Sequence, residues 1–148
     1  MDEFYMREAL KEAKKAFRED EVPVGCVIIH DDTIIARGYN MCEMLKDPTA
    51  HAEMTTITSA CNNLQSKYLN DCTMYVTLEP CIMCASALFW SKIGKVVYGA
   101  RDKKKGVFLL DKNILHPKTK IQGGVLMEEC AYLLTTFFKK KRKLDQKK

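Results

Sequence analysis

Hydrophobic positions recur along this chain with two different periods. Within residues 2–18, Met6, Ala9, Leu10, Ala13 and Phe17 fall at three- and four-residue steps. That spacing gathers them on one face and predicts an amphipathic helix. Residues 22–29 are rich in β-branched side chains and predict a strand. Asp31-Asp32 marks a turn, and residues 33–36 read as the returning strand. Gly38-Tyr39-Asn40 opens a polar loop that runs to Pro48. A helix is predicted from near His51 to about Leu64, with the Thr49 hydroxyl as its N-cap. Residues 73–78 (TMYVTL) read as a buried strand. Pro80 suits the opening turn of a helix over residues 81–91, and residues 93–98 form the next apolar strand. A last short strand is predicted at residues 121–126, then a final helix from about Glu128 carrying Leu133, Leu134, Phe137 and Phe138. An opening hairpin followed by alternating strands and helices predicts an α/β layered domain with a mixed sheet.

The length of 148 residues is that of one domain, and the whole chain is read as one. Its 47% hydrophobic content is enough for a packed core, yet no apolar run approaches the ~18 residues of a membrane span. The start, Met1-Asp2-Glu3, lacks the basic and apolar segments of a secretory signal, so the expected compartment is the cytoplasm. Charge is distributed unevenly. Residues 139–148 (KKKRKLDQKK) carry seven basic residues and one acidic, whereas the rest of the chain is nearly neutral. This basic tail is either an electrostatic handle for polyanions or simply a solvated helix end. A second basic cluster spans residues 101–105, with one acid, Asp102.

The seven cysteines include only one close pair, Cys81 and Cys84, which is not the pattern of a disulfide framework. Cys81-Ile82-Met83-Cys84 follows a strand and opens a helix, so both sulfurs lie on one helical face. The helix N-terminus there favours thiolate over thiol. Such a pair serves either half a tetrahedral zinc site or a thioredoxin-like redox site. His51, at its own helix start, adds a third ligand type. Glu53, two residues on, points elsewhere and is free to stand beside an open fourth position. Three protein ligands plus water define a catalytic zinc, and four protein ligands a structural one. A structural-zinc RNA-binding module would need a fourth ligand such as Cys72 or His116.

The combination His51-Ala52-Glu53 with Glu79-Pro80-Cys81-Ile82-Met83-Cys84 matches H-x-E…P-C-x-x-C, the signature of zinc deaminases. In that chemistry one carboxylate shuttles the proton from water to a ring nitrogen and then to the leaving amine.

The surrounding stretches resemble the bacterial tRNA adenosine deaminases, within the cytidine-deaminase-like superfamily. They are V-P-V-G at residues 22–25, G-Y-N at 38–40, D-P-T-A-H-A-E at 47–53, Y-V-T-L-E-P-C-I-M-C at 75–84 and Y-G-A-R-D at 98–102. The late segment E-E-C-A-Y-L-L-T-T-F-F also fits, so the resemblance spans nearly the whole chain. It implies a three-layer α/β/α sandwich, a homodimer, and conversion of adenosine to inosine at the wobble position of the tRNA anticodon stem-loop. It further implies one Zn2+ per chain on His51, Cys81 and Cys84, with Glu53 as proton shuttle and Asn40 hydrogen-bonding the target nucleoside. Arg101, Asp102 and Lys104 are then placed near the RNA backbone. Phe138 and Lys139, with the neighbouring Phe137, fall on a terminal helix that helps hold the anticodon loop. Two positions depart from the pattern. Cys26 stands where the family often has alanine, and Trp90 follows the zinc helix as in related guanine deaminases, which makes free guanine the alternative substrate.

Overall fold

A computed structural model describes residues 1–147, so Lys148, the last residue of the basic tail, lies outside the described residues. Five strands form a mixed sheet in the order β2-β1-β3-β4-β5. The strands are β1 (Gly25–His30), β2 (Thr33–Tyr39), β3 (Cys72–Leu78), β4 (Lys95–Ala100) and β5 (Lys120–Gln122). β1 pairs antiparallel with both β2 and β3, while β3, β4 and β5 run parallel.

Helices cover both faces, as the near-continuous apolar character of the central strands requires. Alternate residues of each strand serve different layers. Val27, Ile29, Tyr75 and Val97 pack on α1 (Asp2–Arg18) and α5 (Met127–Gln146), against Tyr5, Met6, Ala9, Leu10 and Cys130. Cys26, Ile28, Met74, Val76 and Val96 face the other way, against Ala52 and Ala60 of α3 (Ala52–Leu64) and Ala85 and Leu88 of α4 (Ile82–Ser91). The result is the α/β/α sandwich with a central mixed sheet expected from the sequence. Among the described residues no helix is long and apolar enough to cross a membrane.

Several boundaries differ from the sequence reading, each for a physical reason. Residues 22–24 are not strand: Pro23 has no N–H to give a ladder, and Val24 N–H instead closes a tight turn onto Val22 O at 2.8 Å. β2 continues through Gly38 and Tyr39 rather than ending at Ala36. Gly38 belongs in a strand here because α3 lies directly on it; a Cβ would sit 2.3 Å from Thr56 Oγ1. The loop that follows contains a four-residue helix, α2 (Cys42–Leu45). Its first N–H groups, of Glu43 and Met44, are accepted by the buried Glu21 carboxylate at 2.9 and 2.8 Å. β5 is shorter than predicted, ending before Gly123-Gly124.

Candidate zinc centre

The site lies beyond the carboxyl ends of the parallel strands, where open α/β sheets place their ligands. Two helices begin there. His51 is the N-cap residue of α3 and Cys81 that of α4, both in extended backbone conformation, and Cys84 sits one turn into α4. Placing donors at two helix N-termini surrounds them with unpaired N–H groups and partial positive charge, which favours anionic ligands.

Cys81 Sγ lies 3.6 Å and Cys84 Sγ 3.5 Å from His51 Nδ1. A tetrahedral zinc with the usual Zn–S and Zn–N lengths sets this sulfur-to-nitrogen separation at about 3.5 Å. The residues therefore fit zinc both in donor type and in spacing. Among the described residues these three donors form the one such group, and neither Cys72 nor His116 joins it. The fourth protein ligand of a closed structural site is thus missing from the cluster.

The three donors share protons as a unit. A hydrogen bond from Cys84 holds the Cys81 thiol down at about 4, and the same contact pushes the Cys84 thiol up. The His51 ring is pushed up by its hydrogen bond with Cys81, opposed by burial and by the Lys105 charge. A divalent cation replaces the shared proton and stabilises both thiolates.

Glu53, the second residue of α3, is buried at 4% exposure. Burial raises its carboxyl to about 7, with the Cys81 charge acting in the same direction. A carboxyl poised there can both take and give a proton at neutral pH.

Asn40 is also buried, and its side-chain oxygen accepts the Ala52 N–H at 2.7 Å. This corrects the expected cap of α3. Thr49 does not cap the helix; its N–H and hydroxyl donate to Asp47 Oδ1 at 2.8 and 2.7 Å. The Asn40 amide group remains for another acceptor. Asn40 also lines a cavity of about 520 Å³ that reaches Val22, Glu19, Phe137 and Lys141.

The remaining predicted residues are on the loop after β4 and on α5. Arg101, Lys104 and Lys105 are exposed on the loop after β4. The Asp102 carboxylate faces its own loop, accepting the N–H groups of Lys104 and Lys105 at 3.1 and 3.0 Å. On α5, Phe137 is buried against Phe17, with ring centroids 5.9 Å apart, whereas Phe138 and Lys139 are exposed. Besides Glu12 on α1, sequence reasoning missed two buried carboxylates, Glu21 and Glu79. The only signal for them was an acid at the edge of an apolar segment.

Residues 1–100 match the cytidine and deoxycytidylate deaminase zinc-binding region. Fold and donor set thus define the class, a zinc-dependent deaminase. The tRNA-specific adenosine deaminase of Aquifex aeolicus (strain VF5) is 50% identical over 145 residues, 95% of each chain. A solved structure from work on A-to-I editing by tRNA:A34 deaminases at the wobble position of transfer RNA superposes with a TM-score of 0.82. It is 39% identical and covers 88% of this chain and 99% of that one. The chain belongs to the tRNA-specific adenosine deaminase family. A guanine deaminase from Bacillus subtilis is 39% identical over a shorter match, 67% of this chain and 64% of that one, with a TM-score of 0.64.

Proposed function

We propose that this protein hydrolyses adenosine to inosine at the wobble position of a tRNA anticodon loop. The observation that carries the reading is the open three-donor site with a buried carboxyl beside it. When bound, zinc supplies Lewis acidity that brings the ionisation of water near neutral pH.

His51, Cys81 and Cys84 would hold the metal. Glu53 accepts a proton from the attacking water and passes it to N1 of the base, while the water oxygen bonds to C6. The same carboxyl then moves the remaining hydroxyl proton to the C6 amine. The C6–N bond breaks, ammonia leaves and the C6 carbonyl of inosine remains. The Asn40 amide group donates to the nucleoside and fixes its approach.

A base inside a helix cannot enter such a pocket, so an unpaired loop is the fitting substrate. Arg101, Lys104 and Lys139 provide cations for its backbone, and the exposed Phe138 provides a stacking face. Asp102 contributes by folding the basic loop. The place of action is the cytoplasm.

The protein acts as a homodimer in this reading. α4 exposes Ile82, Phe89 and Trp90, the last at 75%, a surface suited to burial against a second copy. Light scattering of wild type and Trp90→Glu tests this, a dimer and a monomer being the expected pair.

The likeness to the Bacillus subtilis guanine deaminase favours free guanine as a second reading. Incubating zinc-loaded protein separately with an adenosine-34 stem-loop and with guanine decides between them. Inosine at the wobble position, with guanine untouched, is expected. An unchanged stem-loop with guanine consumed would overturn the tRNA assignment.

A further inference from the structure

Glu79 directly follows β3 and precedes Pro80 and the zinc-site residue Cys81. Its side chain is fully buried, where an ionised carboxylate is costly unless hydrogen bonds replace the lost water. All the replacements come from one loop. Asp102 N–H donates to Oε1 at 3.1 Å and Phe108 N–H to Oε2 at 3.0 Å, while Arg101 Nε stands 3.6 Å from Oε1. Gly106 passes so close that a Cβ there would lie 2.1 Å from Glu79 Oε2. The loop is also stitched to the zinc turn itself. Gly106 bridges to Cys81, and Val107 N–H donates to Pro80 O at 3.0 Å. Residues 102–108 therefore fold around one carboxylate, and Lys103, Lys104 and Lys105 are left on the outside.

We propose that Glu79 is a positioning residue for RNA binding: its buried carboxylate holds the 101–108 loop against the zinc turn, so that Arg101 and the three lysines meet the substrate's phosphates in one fixed arrangement. The inference rests on the reading that the substrate is an RNA loop. Without the carboxylate, two inward N–H groups lose their acceptors, and the loop keeps only its internal bonds to Asp102 and the Val107–Pro80 bond to hold it on the zinc turn. The cations would still be present, but ordering them would oppose binding.

Glu79→Gln keeps the shape and replaces one acceptor oxygen by a donor, which sets an NH2 group against a loop N–H. Gly106→Ala displaces the same loop by sterics alone. Both are tested as zinc holoenzymes on an adenosine-34 stem-loop. Zinc content stays at the wild-type level. Amide hydrogen exchange over residues 102–108 rises in both variants by about tenfold or more. KM rises about tenfold, the scale of a lost charge-assisted hydrogen bond, while kcat changes less than about threefold. The slope of log KM against log salt falls by about 1–2, since each lost single-strand phosphate contact removes about 0.7. General destabilisation would not change that slope. The double variant is no worse than the more affected single one, because both act on one loop.

Wild-type KM and salt slope in Glu79→Gln, with wild-type turnover intact, would overturn the positioning role alone. Zinc loss with kcat collapsing in both variants would overturn it too, assigning Glu79 to the metal centre. A wild-type holoenzyme inert on the stem-loop would instead overturn the RNA reading, with the exchange contrast still reporting the tether.

Discussion

Replacing Asn40 by alanine removes the oxygen that accepts the Ala52 N–H at 2.7 Å, at the start of the helix that carries His51 and Glu53. Ala52 is fully buried, so water cannot take the place of the lost acceptor. Orphaning such an N–H costs about 2 kcal/mol, which lowers Tm by about 4–8 °C in a chain of this size. Asn40→Asp separates this cap from chemistry. It keeps the accepting oxygen and adds negative charge at a helix N-terminus, where charge of that sign is favoured. It removes the amide donor assigned to the nucleoside. The account therefore predicts an alanine variant that is both less stable and less active. The aspartate variant stays within about 1 kcal/mol of wild type in stability, yet loses at least about tenfold in kcat/KM on the stem-loop. Thermal unfolding and steady-state deamination, run on zinc-loaded protein, read the two effects separately. An unchanged Tm in Asn40→Ala would refute the capping role. Wild-type kcat/KM in Asn40→Asp would refute the donor role.

Adjacent aromatics on α5 give a second separation. Phe137→Ala, buried against Phe17, is expected to destabilise the fold by about 3–5 kcal/mol in denaturant unfolding. Phe138→Ala changes stability by less than about 0.5 kcal/mol but weakens stem-loop binding by about 1–3 kcal/mol, the value of one stacked base. Zinc affinity, followed by chelator competition, falls as pH falls. Cys84, whose thiol is pushed up, must give up its proton to bind metal, whereas Cys81, held at about 4, is already a thiolate at neutral pH. Calorimetry at pH 7 in buffers of different ionisation heat is expected to show a proton released on zinc binding.

How much of this was legible in the sequence depends on whether the determinants are local. The β-branched and apolar runs of β1, β3 and β4 and the three-to-four spacing in α1 are local signals, and these elements formed, with β1 and β4 starting two or three residues later than expected. The zinc donors were legible for the same reason: Cys81 and Cys84 share one helical turn, and His51 and Glu53 stand in one short motif. The expected cap at Thr49 failed because the true acceptor for α3 comes from Asn40, twelve residues away across a loop. Likewise, α2 carries no strong local signal and depends on the Glu21 carboxylate arriving from the end of α1. Phe137 and Phe138 look alike in sequence, and only the packing of α5 on Phe17 tells the core residue from the exposed one. Glu79 shows the limit most plainly. Its partners lie more than twenty residues downstream, so nothing near it announces that a loop folds around its carboxylate.

The most direct test of the account pairs metal content with turnover in Glu53→Gln. The substitution keeps the size of the buried side chain, leaves all three donors in place and removes the proton-carrying group. Metal analysis and mass spectrometry of an adenosine-34 stem-loop are read on the same preparation. The account predicts one zinc per chain in both proteins, inosine at the wobble position with wild type, and deamination slowed by at least about 10²–10⁴-fold in the variant. A zinc-loaded Glu53→Gln that deaminates at the wild-type rate would contradict the shuttle. Loss of zinc in the variant would show that Glu53 belongs to the ligand set instead.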